Sequence, residues 1–364
     1  MQQLTFIKPG KLEWWDVSEP KLENNSDALV RPIAVARCDL DTGILQGIAP
    51  FRGELLHFLR NHLPESIGQK KLFRNAPFKG CFPIGHEFVA EVVSVGDNVK
   101  GFSVGNRVIV PFQISCGDCD FCRRGLTNSC TAVPPRSMYG LGDIGGKGWG
   151  GAFSDLVRVP FAEKMLVTLP DGVKPEIFAS ADNIPDGFRT VAPHLANRPN
   201  AEVLVVGGEA RSIGLYSVAT AVAMGASVDY VDSDRKRLEI ATSLGATAIE
   251  ATKYERTKSY QITVDASADP KGLAFALKST EAGGVCTSVG IYYTPTTPIP
   301  LLAMYGTGVT FITGRVNARA CLPEVISLYE HGNFQPEKVT TLLAGWNDAP
   351  EALLDNSTKV VIRR

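Results

Sequence analysis

The stretch that most constrains this chain is Val203-Leu204-Val205-Val206 with the loop that follows it. A half-buried strand alternates apolar and polar side chains, whereas an unbroken aliphatic run suits a strand of a parallel sheet covered on both faces. The run leads into Gly207-Gly208-Glu209-Ala210-Arg211-Ser212-Ile213-Gly214, then a helix expected to end near Gly225-Ala226, then a second strand, Ser227-Val228-Asp229-Tyr230-Val231, closed by Asp232. Small residues let a backbone approach a pyrophosphate at a helix N-terminus, and an acid ending the second strand can take ribose hydroxyls. Gly207, Gly208, Ala210, Ser212, Ile213, Gly214 and Asp232 are therefore candidate nucleotide-binding residues. The loop is longer than strict G-x-G-x-x-G and carries Glu209 and Arg211 where glycines are expected, so the strand-loop-helix-strand-acid context carries the reading. Strand and helix alternation continues through Thr263-Val264-Asp265-Ala266 and Gly284-Val285-Cys286-Thr287-Ser288-Val289-Gly290. Cys286 and Cys321 have no partner spacing and read as core thiols.

A chain of 364 residues is too long for one ordinary core, so two domains, or one interrupted by another, are expected. Apolar content of 44%, charged content of 21% and a formal charge of −1 leave no basic excess of the kind nucleic-acid binding requires. Met1 to Trp15 is polar and broken by Pro9-Gly10, and no later run is long enough to cross a bilayer. A cytoplasmic location without membrane or nucleic-acid partners is the expectation. The eight cysteines would then be reduced, and clustered ones read as metal ligands or reactive thiols.

Such a cluster is Cys116-Gly117-Asp118-Cys119-Asp120-Phe121-Cys122, followed by Cys130. Four thiolates at this spacing can wrap one tetrahedral ion at ~2.3 Å each and leave no position for substrate, so the ion would be structural. An iron–sulfur cluster is the competing reading. Two further single residues stand at strand ends. His86 enters the strand Glu87-Phe88-Val89-Ala90-Glu91-Val92-Val93-Ser94-Val95 after Pro83 and Gly85, placed as a ligand would be. Cys38 ends the strand Val30–Arg37 and is followed by Asp39 and Asp41, an electronegative place suited to a cation; a buried thiol beside a turn is the plainer alternative. Between them lie 47 residues, with a helical face expected at 51–63 and a basic stretch holding Lys70, Lys71, Arg74 and Lys79 that reads as a solvated loop. Asp182, in the small and apolar run Ala179-Ser180-Ala181-Asp182-Asn183, suits either a helix N-cap or a third metal ligand.

In this order, Cys38, His86-Glu87, the four-cysteine lobe, Asp182, the nucleotide fold and Asp232 resemble the zinc-dependent medium-chain alcohol dehydrogenases over nearly the whole chain. Asp182-Asn183-Ile184-Pro185-Asp186-Gly187 is similar to the corresponding run of the formaldehyde dehydrogenase-like branch, where aspartate replaces the usual cysteine ligand, and the approach from Gly140-Leu141-Gly142 to Gly150-Gly151 is similar as well. The resemblance implies an α/β protein with a GroES-like antiparallel β catalytic domain at 1–172, a Rossmann doubly wound parallel domain at 173–312 and a C-terminal return at 313–364, with the active site in the cleft between domains. It implies two Zn2+ per chain, a catalytic one on Cys38, His86 and Asp182 and a structural one on Cys116, Cys119, Cys122 and Cys130. It further implies Glu87 beside the catalytic metal, Asp41 orienting His86, and a homodimer or homotetramer.

The same resemblance implies hydride transfer between an alcohol or aldehyde and a nicotinamide dinucleotide. Asp232 with Arg237 matches the NAD pattern, while Arg235 and Lys236 keep NADP as the less favoured alternative. Departures from the family are Leu40 and Gly43, where a hydroxyl and a histidine commonly carry the proton to water, and Asp186, where threonine commonly touches nicotinamide. Thr42, Asp39 or an ordered water are the remaining candidates for that proton route. An NADPH-dependent carbonyl reductase and a non-catalytic nucleotide- and zinc-binding protein are the rival expectations.

Overall fold

The computed structural model describes residues 1–47, 81–142, 148–251, 253–256, 258–294 and 296–364. The helix expected at 51–63 and the basic stretch around Lys70 to Lys79 lie outside the described residues. Two compact units emerge: one of Met1–Thr168, Ala344–Asp355 and Ile362–Arg364, the other of Leu169–Leu343 and Asn356–Val361.

In the first unit, β1 (Gln2–Lys8) and β2 (Lys11–Asp16) form a hairpin about Pro9-Gly10. The larger sheet is centred on β3 (Ala28–Ala36); the short strand β4 (Phe82–Pro83) pairs with β1 instead. Next come β5 (Glu87–Val95) and β6 (Arg107–Val110), then β7 (Val157–Val159) and β8 (Val167–Thr168). β5 runs antiparallel to β3 on one side and to β6 on the other, β6 takes β8, and β7 pairs with β3. The aliphatic residues Val30, Ala34, Val35, Val89, Ala90, Val108 and Ile109 are fully buried, which explains why these β-branched segments choose strand over helix. Arg37, just past β3, is also buried; its Nη1 donates to the carbonyl of Leu353 at 2.8 Å and so holds the returning C-terminal segment. Arg364 lies here too, its N–H bonded to Ile33 O at 3.0 Å and its guanidinium 3.9 Å from the Trp346 ring centre.

The second unit is built on six parallel strands: β9 (Glu202–Val206), β10 (Ser227–Asp232), β11 (Thr247–Glu250), β12 (Tyr260–Asp265), β13 (Thr280–Ser288) and β14 (Thr310–Thr313). Their order, β11-β10-β9-β12-β13-β14, is that of a doubly wound nucleotide-binding sheet with its switch point between β9 and β12. Val203 to Val206 are fully buried, as the unbroken apolar run requires, and at about 1.5–3 kcal/mol per side chain this one strand is a main anchor of the core. Asp234 caps the helix Arg235–Leu244 through Arg237 N–H at 3.0 Å, and Asp269 caps the helix Pro270–Ser279 through Lys271 N–H at 3.0 Å.

The sequence places the hand-overs near residues 172 and 312, whereas the units divide after Thr168 and again after Leu343. Residues 313–343 stay with the second unit because the helix Ala318–His331 packs against the helix Asn183–Leu195. An edge-on contact of Phe178 and Tyr329, with ring centres 5.1 Å apart, adds to that packing.

Candidate metal centres and nucleotide site

Cys116, Cys119, Cys122 and Cys130 bring their sulfurs within 4.8 Å of one another. Local turn chemistry does this: Cys116 Sγ accepts the N–H groups of Asp118 (3.4 Å) and Cys119 (3.3 Å), and Cys130 Sγ accepts Cys116 N–H (3.4 Å). Backbone N–H groups of Thr131 and Cys122 pull the Cys119 thiol down to about 5, while burial pushes Cys122 up to about 12 and raises Cys130. One thiol thus ionises readily and the buried ones need a cation beside them, which is the donor chemistry of a closed tetrahedral zinc site.

Cys38 and His86 meet through strand register. Ala36 pairs with Glu87 in the β3–β5 ladder, so the residues just beyond each strand end, Cys38 and His86, become neighbours with their ligand atoms within 4.8 Å. Both are buried. Asp41, in the first turn of the helix Asp39–Leu45, uses Oδ2 to accept Cys38 N–H at 3.2 Å and sets Oδ1 3.6 Å from His86 Nδ1, with both side chains 99% buried. Longer than a hydrogen bond, that separation still places a negative charge against Nδ1 and favours the tautomer protonated there, leaving the Nε2 lone pair for a metal. Phe112 walls the imidazole at a ring-centre distance of 5.4 Å, and Glu87 is fully buried next to it in sequence. Thr42 donates its hydroxyl to the Cys38 carbonyl at 3.3 Å, within its own helix turn.

Asp182 belongs to the second unit. It takes the N-cap position of the helix Asn183–Leu195, as one of the two sequence readings had it, and is buried, but its side chain makes no capping hydrogen bond to that helix. The next residue, Asn183, is a junction that the sequence did not reveal. Its Oδ1 accepts Lys359 Nζ at 2.6 Å and Ser212 Oγ at 3.2 Å, and Lys359 is wholly buried. A lysine inside the apolar run Thr358-Lys359-Val360-Val361-Ile362 was the available signal. Asp186 is held by Arg189, whose Nε lies 2.6 Å from Oδ1 while Nη2 donates to Gly314 O at 2.6 Å.

The nucleotide loop opens at the C-terminal end of β9. A Cβ on Gly207 would collide with Asp232 Oδ2 and the Tyr230 hydroxyl, and one on Gly208 would lie 2.5 Å from Ser267 O, so both positions exclude any side chain. Ala210 sits at the N-cap of the helix Arg211–Ala223, and Ile213 packs with Ala210, Ala266 and Val289. Asp232 is gripped on all sides. Arg237 donates Nε to Oδ2 (2.7 Å) and Nη2 to Oδ1 (2.8 Å), the Tyr230 hydroxyl donates to Oδ2 (2.6 Å), and Asp234 N–H to Oδ1 (2.9 Å). Burial works to raise its carboxyl, but the hydrogen bonds and charge of Arg237, helped by Tyr230, hold it below the usual carboxylate range. The sequence set Asp232 and Arg237 together in the NAD pattern, but neither their ion pair nor the Tyr230 contact, made by side chains two apart on one strand face, followed from it.

Residues 24–171 match the family model of the alcohol dehydrogenase GroES-like domain, and residues 212–331 that of the zinc-binding dehydrogenases. A medium-chain reductase/dehydrogenase of an Acremonium species is 29% identical over 259 residues, covering 70% of this chain and 77% of that one. A glutathione-independent formaldehyde dehydrogenase of Bacillus subtilis is 28% identical over 316 residues, 75% and 76% of the two chains. Among solved structures, the alcohol dehydrogenase TADH from Thermus sp. ATN1 superposes with a TM-score of 0.82 at 27% identity, covering 100% and 99%. Fold and relatives together define a zinc-dependent oxidoreductase of alcohols or aldehydes that works with a nicotinamide cofactor. The chain belongs to the zinc-dependent medium-chain alcohol dehydrogenase family. Among the described residues no helix is long and apolar enough to cross a membrane.

Proposed function

We propose that this protein is an NAD-dependent alcohol or aldehyde dehydrogenase with two zinc ions per chain, one held by Cys38, His86 and Asp182 and one by Cys116, Cys119, Cys122 and Cys130. The observation that supports the reading is the buried Cys38–His86 pair, its ligand atoms within 4.8 Å of each other and Asp41 set against His86 Nδ1. One thiolate, one neutral imidazole and one carboxylate offset a divalent charge and leave a fourth position for substrate. When bound, zinc supplies a Lewis acid to the substrate oxygen and the nicotinamide takes or gives the hydride. Asp41 keeps the His86 proton on Nδ1 throughout, Glu87 sets the local field, and Phe112 keeps bulk water from the imidazole. The proton route runs through Thr42, whose hydroxyl lies against the Cys38 carbonyl, through Asp39 or through an ordered water.

NAD is favoured over NADP because the buried Asp232 carboxylate repels a 2′-phosphate. Arg237 partly cancels that charge, and Arg235 is 83% exposed nearby, which keeps NADPH-dependent carbonyl reduction as the second reading. A homo-oligomer is supported by the exposed apolar helix Leu301–Thr307, where Leu302 and Tyr305 are 85% and 87% accessible beside the edge strand β14; light scattering on wild type and Tyr305→Glu reads it, with loss of the oligomer expected. A cytoplasmic setting accords with eight cysteines free of disulfides. Steady-state assays with a panel of primary alcohols and aldehydes, each with NAD(H) and NADP(H), test the function. Turnover at least about tenfold better with NAD is expected; nucleotide binding without turnover across the panel, or turnover with NADPH alone, contradicts it.

A further inference from the structure

We propose that Tyr216 and Ser212, on the helix that follows the glycine loop, are positioning residues for Asp182. The inference rests on the reading of Asp182 as a zinc ligand and adds the residues that fix its place.

Asp182 stands at the N-cap of the helix Asn183–Leu195, but no capping bond from its own side chain orients it there. The turn around it is held instead from the neighbouring helix Arg211–Ala223. The Tyr216 hydroxyl donates to Ser180 Oγ at 3.0 Å, and the Ser212 hydroxyl donates to Asn183 Oδ1 at 3.2 Å. Residues two before and one after Asp182 are thus gripped from the same side. Lys359 Nζ donates to the same Asn183 oxygen at 2.6 Å. Ser180, Asn183, Ser212, Tyr216 and Lys359 are all buried, with none more than 1% exposed. Ser212, a nucleotide-binding candidate in the sequence, directs its hydroxyl to Asn183.

Helix geometry makes this grip rigid. Ser212 and Tyr216 lie four residues apart and so share one face. Gly187 brings the two helix backbones together, because a Cβ there would come within 2.6 Å of Tyr216 Cβ and 2.8 Å of Ser217 N. Just beyond, Thr190 Oγ1 is hydrogen-bonded to Ser217 Oγ at 2.9 Å. Positions 180, 183, 187 and 190 therefore form a continuous seam against the second helix. That helix is buried from Ser212 to Ala221, where an unbonded hydroxyl is costly and a bonded one fixes its partner. Breaking either bond beside Asp182 loosens the turn that carries the carboxylate, and a less well oriented ligand holds metal more weakly.

The test is zinc affinity of the full-length protein, equilibrated at graded free zinc set by a chelator buffer and read as zinc per chain. Asp182→Ala identifies the binding step that belongs to Asp182. Tyr216→Phe and Ser180→Ala, which remove one hydrogen bond from its two ends, should each weaken that step about threefold or more, and together no more than either alone. Tyr216→Phe combined with Ser212→Ala should weaken it about tenfold or more. The step on the four cysteines should stay within about twofold in every variant, and so should NADH binding by Tyr216→Phe. Unchanged zinc affinity in the Tyr216→Phe, Ser212→Ala double variant overturns the proposal. An equal loss at both zinc steps does so too, because it marks a general loosening of the fold, as do fully additive losses for Tyr216→Phe and Ser180→Ala. Thermal midpoints guard against misfolding, and if the double variant does not fold, Tyr216→Phe and Ser180→Ala decide. An Asp182→Ala variant that leaves every wild-type zinc step intact removes the metal reading of Asp182 itself, a distinct result.

Discussion

The four-cysteine lobe and the Cys38–His86 pair gather metal-binding side chains by opposite routes. In the lobe, fifteen residues supply every ligand, and backbone N–H groups of the same segment hold the sulfurs, two and three positions on for Cys116 and across the lobe for Cys130. In the pair, 47 residues separate the ligands, and only the Ala36–Glu87 register brings them together. A local site can be assembled by its metal; a register-made site exists only once the sheet does. On the proposed reading, damage to the lobe costs structure, whereas damage to the pair costs chemistry.

The largest effect expected from this contrast is in Cys119→Ser against Cys38→Ser. Structural zinc in short peptides is worth about 10–16 kcal/mol of binding, so Cys119→Ser should lower the thermal midpoint by about 10 °C or abolish soluble folding. Cys38→Ser should leave the midpoint within about 3 °C and reduce kcat/KM at least about a thousandfold. Calorimetry and kinetics on both variants decide it, and equal loss of stability would erase the distinction.

Next in size is Arg237→Met. Removing one partner of a buried pair strands the other and costs about 3 kcal/mol at neutral pH. The Asp232 carboxyl is depressed in the fold, so the pair's contribution is present above the ordinary carboxylate value of 3.8 and is lost as pH falls through the folded value. Urea unfolding at pH 7, pH 4 and about pH 2 should show the variant's deficit nearly intact at pH 4 and shrinking only below the ordinary carboxylate value; a deficit that stays constant down to about pH 2 counts against the pair.

Asp41→Asn sharpens the comparison from the other side. Loss of the charge facing His86 Nδ1 should lower kcat/KM about 10- to 100-fold with little change in the thermal midpoint. A midpoint drop without kinetic change would make Asp41 a mere partner of the Cys38 backbone. The smallest effect is at His194. Burial first, and Arg198 second, depress its pKa, so the unfolded chain takes up the proton first and stability falls as pH drops below 6.5. His194→Gln should lessen the loss of stability between pH 7 and pH 5, read by denaturant midpoints.

The same contrast explains what could be seen in the sequence. The lobe was legible because its spacing is its geometry, and β9 with its glycine loop because an unbroken apolar run admits few settings. Cys38 and His86 were legible as strand-end residues, but their meeting depends on bulges between Leu29 and Val30 and between Pro32 and Ala34 that no local pattern announces. Asp182 looked equally like a cap, and it does take the N-cap position, though without a side-chain capping bond. The buried Lys359, the Tyr230 hydroxyl on Asp232 and the hold of Arg37 on Leu353 are long-range or cross-face contacts set by tertiary packing, and sequence periodicity is silent on such partners. Residues 313–343 group with the second unit rather than with the return expected at 313–364 for a similar reason, since the packing of the helix Ala318–His331 on the helix Asn183–Leu195 crosses more than a hundred residues of chain.

The most direct measurement is zinc per chain by elemental analysis on wild type, Asp182→Ala and Cys119→Ser. The account expects two in the wild type and one in each variant, with activity lost in Asp182→Ala while its fold is kept. One zinc in both wild type and Asp182→Ala would leave only the lobe occupied and would contradict the proposed catalytic metal on Cys38, His86 and Asp182.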